Sequence, residues 1–105
     1  MFDTAKILNL GGSIGYEEGG IVSKMVIKKS AGNITLFAFE KGQGLSEHSA
    51  PFDAFVQIIE GNGRIAIGGH DHRLTAGEMI IMPANIPHSV HADERFKMML
   101  VMIKG

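Results

Sequence analysis

Short apolar runs separated by glycine-bearing polar segments set the rhythm of this chain. Residues 21–28, 33–40, 54–60, 64–68, 78–82 and 96–103 are rich in Ile, Val and Phe and are of strand length. Between them stand Ala31-Gly32-Asn33, Gly42-Gln43-Gly44, Gly61-Asn62-Gly63, Gly68-Gly69-His70-Asp71 and Ala76-Gly77, all of them turn chemistry. Gly61-Asn62-Gly63 predicts a tight hairpin between two strands. No segment carries a capped helical period; only the first dozen residues are ambiguous. The pattern predicts an all-β barrel or two-sheet sandwich, with no helix beyond a turn or two.

Two of the runs are apolar on both faces. In 34–39 one face carries Ile34, Leu36 and Ala38, and the other Phe37 and Phe39. In 98–103 Met98, Leu100 and Met102 alternate with Met99, Val101 and Ile103. A half-solvated antiparallel strand alternates with polar residues instead. So short a chain has little left to cover a second apolar face, which predicts a homodimer burying strands near the N-terminus and around residues 33–39.

Length and composition narrow the class. A chain of 105 residues supports one core, so residues 1–105 form a single domain. Its 14 glycines are about twice the ordinary usage, in keeping with many turns. A net charge of −1 without a basic cluster offers nothing to nucleic acid. There is no cysteine, hence no disulfide, thiolate ligand or thiol nucleophile. Residues 1–10 include Asp3 and Lys6 and lack a long apolar stretch, so neither a signal peptide nor a membrane span is expected, and the cytoplasm is the default location.

The candidate chemistry lies in two spaced segments. In 42–61, Gly42 is followed by five residues, then His48, and later Gly61. In 77–92, Gly77 is followed by five residues, then Pro83, and then His88. Strands carrying the two histidines would bring imidazoles forty residues apart in sequence side by side in a barrel. These segments resemble the two motifs of the cupin superfamily, in particular its small single-domain conserved-barrel members. The resemblance covers about residues 34–103. It implies a double-stranded β-helix, the jelly-roll barrel, and a divalent metal (zinc, iron, manganese or nickel) held by two histidines and a glutamate of the first motif and a histidine of the second.

This chain departs from that set. The second motif-one histidine is Ala50, and the glutamate is Ala54; His48 and His88 alone remain. The motif-two glycine is Asn85, the non-glycine residue best suited to a left-handed backbone. The closing asparagine is Ala92. A catalytic metal commonly takes three protein ligands and water. Asp53, one residue before the glutamate position, is the candidate third ligand if a bulge turns it inward; as a turn-capping residue it would serve the backbone instead. Glu47 and Gln57 face away from the site on regular strands, and Gln57 suits a dimer contact better. His70 and His72 read as an exposed turn, and His91 as lying on the face opposite His88.

Two alanines in place of ligands widen the barrel mouth. The expected lining is Ala50, Ala54, Val56, Phe37 or Phe39, and methionines such as Met82, Met98 or Met102. Two functions compete: a metal-dependent enzyme acting on a small molecule, or a ligand-binding or sensor barrel with the same pocket and no chemistry. A scaffold whose value is dimerisation is a third. The fold itself does not choose among them.

Overall fold

A computed structural model describes residues 1–105. Eight antiparallel strands follow one short 3₁₀ turn, Gly11–Ser13: β1 Ile21–Lys29, β2 Gly32–Phe39, β3 Gly44–His48, β4 Asp53–Ile67, β5 His70–Thr75, β6 Met79–Met82, β7 His88–His91 and β8 Phe96–Ile103. The all-β jelly-roll architecture read from the sequence is the one observed. No helix is long and apolar enough to cross a membrane.

Strand β4 organises the barrel. Its first half pairs with β6 on one side and β8 on the other, and β8 continues to β2 and β1. Its second half pairs with β5 and β7, and β7 continues to β3. One strand therefore belongs to both sheets and turns the corner between them. The expected hairpin at Gly61-Asn62-Gly63 does not form. Gly61 takes a positive φ of 78° just past an irregularity in the ladder between Ile58 and Glu60, and the chain bends without reversing. A Cβ at Gly63 would lie 2.8 Å from the Phe96 ring, so the missing side chain makes room for a core aromatic. The reversal comes later, at Gly68-Gly69. Both residues have positive φ, and Ile67 pairs with His70 across them, the geometry of a two-residue hairpin.

Strands β3, β5 and β7 lie outside the apolar runs. Their sequences, Gly-Leu-Ser-Glu-His, His-Asp-His-Arg-Leu-Thr and His-Ser-Val-His, are rich in polar residues. Pairing with β4 and with each other makes them strands, which is tertiary context overriding local propensity. His70 and His72 accordingly sit on β5, exposed, and not in a turn.

The main core lies between the sheets. Phe39, Val56, Ile58, Ile65, Phe96 and Met98 are fully buried there. Phe39 stacks on Phe96 at 4.9 Å between ring centroids and on Phe37 at 5.7 Å. A second, smaller cluster forms on the outer face of β2, where Ile14 packs on Leu36 and Ala38 with Tyr16 and Phe2 beside it. The N-terminal segment thus covers part of the face that the sequence left open. Polar contacts tie it down: the Tyr16 hydroxyl donates to Glu60 at 2.6 Å, and the Lys97 ammonium to the Gly11 carbonyl at 2.8 Å. Phe37 belongs to the inner core and Leu36 to the outer cluster, the division expected from alternation.

Candidate functional site

His48 ends β3 and His88 begins β7, and the two are paired residues in the ladder. Their Nε2 atoms are 3.2 Å apart and the rings meet edge to face, 4.4 Å between centroids. The local sequence fixes this geometry. Pro83 and Pro87 bracket a turn in which Asn85 takes the left-handed φ of 66°. The Asn85 amide donates to the Ala50 carbonyl at 2.7 Å, and the Ala84 amide to Asp53 Oδ1 at 2.8 Å. The turn that delivers His88 is thereby stitched to the loop that follows His48. Asp53 is exposed and spends its carboxylate on that backbone, so it does not stand with the histidines as a third ligand. Its one-residue offset from Ala54 leaves it on the outer face of a regular strand.

Hydrogen bonds set the tautomer of each ring. His48 Nδ1 lies 2.8 Å from the Ser46 carbonyl, and His88 Nδ1 lies 3.3 Å from the Ile86 carbonyl. A carbonyl only accepts, so each Nδ1 carries the proton. In the neutral rings both Nε2 lone pairs then face one another. Such a pair calls for an electrophile between or beside them, and a backbone-anchored Nδ1–H is the usual support of a metal-binding imidazole. Burial pushes the His88 pKa below its ordinary value, and the neighbouring His48 charge adds to this; the Ile86 carbonyl pulls the other way. His88 is therefore held in the neutral, electron-donating form.

The pair closes one wall of a cavity of about 40 Å³. Ala50, Ala54, Met82, Met98 and Met102 line it, and Leu45, Val90 and Leu100 complete it. Val90 and Leu100 follow the alternation of their strands, Val90 two residues from His88 and Leu100 between Met98 and Met102, whereas Leu45, three residues before His48, enters across the register shift between them. Val56 and Phe37 lie in the core and not at the pocket, because the ladder carries Val56 two residues deeper than Ala54 and Phe37 stacks on Phe39. The pocket is also smaller than two ligand-to-alanine changes imply, since unbranched methionines occupy the space. It has room for an ion with a water or two.

Other histidines stand apart. His91 Nε2 is 2.8 Å from the Ser89 hydroxyl, two residues along β7 on the face opposite His88. No third His, Asp, Glu or Cys joins His48 and His88 in a cluster able to hold a metal. The imidazole pair itself fits a metal ion; of the family's four ligands, half are present.

Residues 35–104 match the cupin domain family, and the chain belongs to it. The full fold superposes on a conserved protein of unknown function from Streptococcus pyogenes with a TM-score of 0.94 and 36% identity, over 99% of this chain and 91% of that one. A cupin 2 conserved barrel domain protein from Leptotrichia buccalis gives 0.90 and 41%, over 92% of this chain; the match spans about half of that protein, 47%. A salicylate 1,2-dioxygenase from Pseudoaminobacter salicylatoxidans, solved with gentisate, shares the fold at a TM-score of 0.74 and 16% identity, over 80% of this chain and 25% of that one. The sequence matches none of the curated proteins.

Proposed function

We propose that this cupin binds a metal ion at the Nε2 atoms of His48 and His88 and presents it to a small molecule at the barrel mouth. The observation that carries the reading is the pair of convergent lone pairs, 3.2 Å apart, each fixed by a carbonyl on the far side of its ring. When bound, such an ion polarises or anchors an oxygen or nitrogen of the ligand. The protein's share is to hold two neutral imidazoles, to exclude bulk water with Leu45, Val90 and Leu100, and to leave open positions where Ala50 and Ala54 carry no donor. The pocket lining holds no carboxylate, lysine or tyrosine. That lining favours a binding or sensing role over a multistep enzyme.

The test is long-range proton–nitrogen NMR of the imidazoles. Both rings should give the Nδ1–H tautomer in metal-free protein, and titration with zinc should shift both Nε2 signals together. His88→Ala should abolish the response of His48. Zinc binding that leaves these nitrogens unmoved would remove the reading.

We also infer a homodimer, formed through the outer face of the larger sheet. Ile81, Phe55, Val101, Ile34 and Ile27 make a charge-free row across β6, β4, β8, β2 and β1. Ile81 at its edge is 56% exposed. A second copy related by a two-fold axis would lay an identical row against it. Because Ile81 is already exposed, Ile81→Glu should leave the fold intact and halve the mass by light scattering; a monomeric wild type would end the proposal.

A further inference from the structure

The position that lacks the family's carboxylate is flanked by sulfur. Ala54 is paired with Met82 of β6 on one side and with Met102 of β8 on the other. Directly opposed residues of antiparallel strands project from the same face. All three residues line the cavity with His48, His88 and Met98. Of the chain's seven methionines, three therefore meet at one small pocket that also holds its two convergent imidazoles.

Thioether and imidazole together are a soft donor set. Zinc, manganese and iron in the divalent state draw on carboxylates, thiolates or further imidazoles, and none stands here. The charge balance points the same way. No anionic group lines the pocket, so an ion keeps its whole charge in apolar surroundings. The cost of burying an ion rises with the square of its charge, so a monovalent ion costs about a quarter of what a divalent one does. Monovalent copper is a soft ion, accepts low coordination numbers, and binds thioether sulfur.

We propose that the ion selected at this pocket is monovalent copper, held by the Nε2 atoms of His48 and His88 together with the thioethers of Met82 and Met102. This rests on the reading that the histidine pair binds a metal, and it departs from the divalent ion that the family resemblance implies. It needs no redox step: copper enters and leaves in the monovalent state.

The experiment is an anaerobic titration of the full chain with Cu(I) against a chromophoric Cu(I) chelator, with Zn(II) titrated in parallel. A Met82→Leu, Met102→Leu double variant keeps the pocket's volume and apolarity. It should weaken Cu(I) binding by about tenfold or more and leave Zn(II) binding as in the wild type. X-ray absorption of the copper-loaded wild type should contain a copper–sulfur shell that the double variant lacks. Cu(I) binding that is equal in wild type and double variant, or a copper spectrum without sulfur, overturns the inference while the histidine reading stands. A wild type that binds neither ion overturns both.

Discussion

Two stretches of the barrel interior, built on the same strands, are opposite in kind. Around the middle of β4 and the start of β8, Ile58, Phe39 and Phe96 pack without exposure, and Gly63 gives way so that the Phe96 ring can fit. At the start of β4 and the end of β8, Ala54 and Met102 face a cavity, and two imidazoles close it. Four residues along a strand separate Ala54 from Ile58. The first stretch is specified by shape, the second by what has been left small. The two stretches belong to one continuous core, and Ala54, Met82, Val90 and Met98 serve both, buried on one side and bordering the cavity on the other.

The largest effect that would break this contrast is Phe96→Ala. Removing a fully buried ring that stacks on Phe39 should cost about 3–5 kcal/mol, read as a fall in the urea midpoint. A loss as small as that of a mouth substitution would mean the two stretches are not distinct. A smaller effect should follow Ala50→His with Ala54→Glu, which restores the family's ligand types. Placing polar groups in the apolar pocket should cost the metal-free protein about 1–3 kcal/mol, and zinc should return most of it through the completed site. A double variant that gains no zinc affinity would show that the pocket cannot host four ligands.

The smallest effect is one of pH. An unfolded imidazole titrates near 6.5, whereas His88 in the fold titrates lower, chiefly through burial. Below about 6.5 the unfolded chain binds the proton more readily, so stability falls as the pH drops from there toward the lower folded value. Above 6.5 both states are neutral and the contribution is flat. Urea midpoints at successive pH values should record this slope in metal-free wild type and a shallower one in His88→Gln. Equal slopes would place His88 in an ordinary, solvated environment.

How much of this was legible in the sequence follows the same division. The aromatic and β-branched runs announced β1, β2, β8 and most of β4, because burial between sheets demands those residues. The spacing of Gly42, His48, Gly77, Pro83 and His88 was enough to bring the two histidines together. Strands β3, β5 and β7 were not legible, since their polar sequences become strands only by pairing, β5 and β7 with β4 and β3 with β7. Gly61-Asn62-Gly63 carries turn chemistry, but the turn it makes is a bend between two sheets, which local composition cannot distinguish from a reversal. Asp53 was ambiguous for a similar reason: its partner, the Ala84 amide, lies thirty-one residues away. The cover that Ile14 and Tyr16 provide for β2 was equally out of reach, because no local pattern links residue 14 to residues 36 and 38.

Strand β4 pairs with β5, β6, β7 and β8, so four of the seven ladders run through one fifteen-residue segment. Neither sheet can therefore open as a separate cooperative unit without breaking hydrogen bonds that the other sheet needs. Amide exchange from the centre of β4 should require unfolding of the whole molecule, while β1 and β3, each paired on one side, exchange through local opening. Contacts so distant in sequence also require large loops to close before they are rewarded, which places this small barrel among slow-folding topologies.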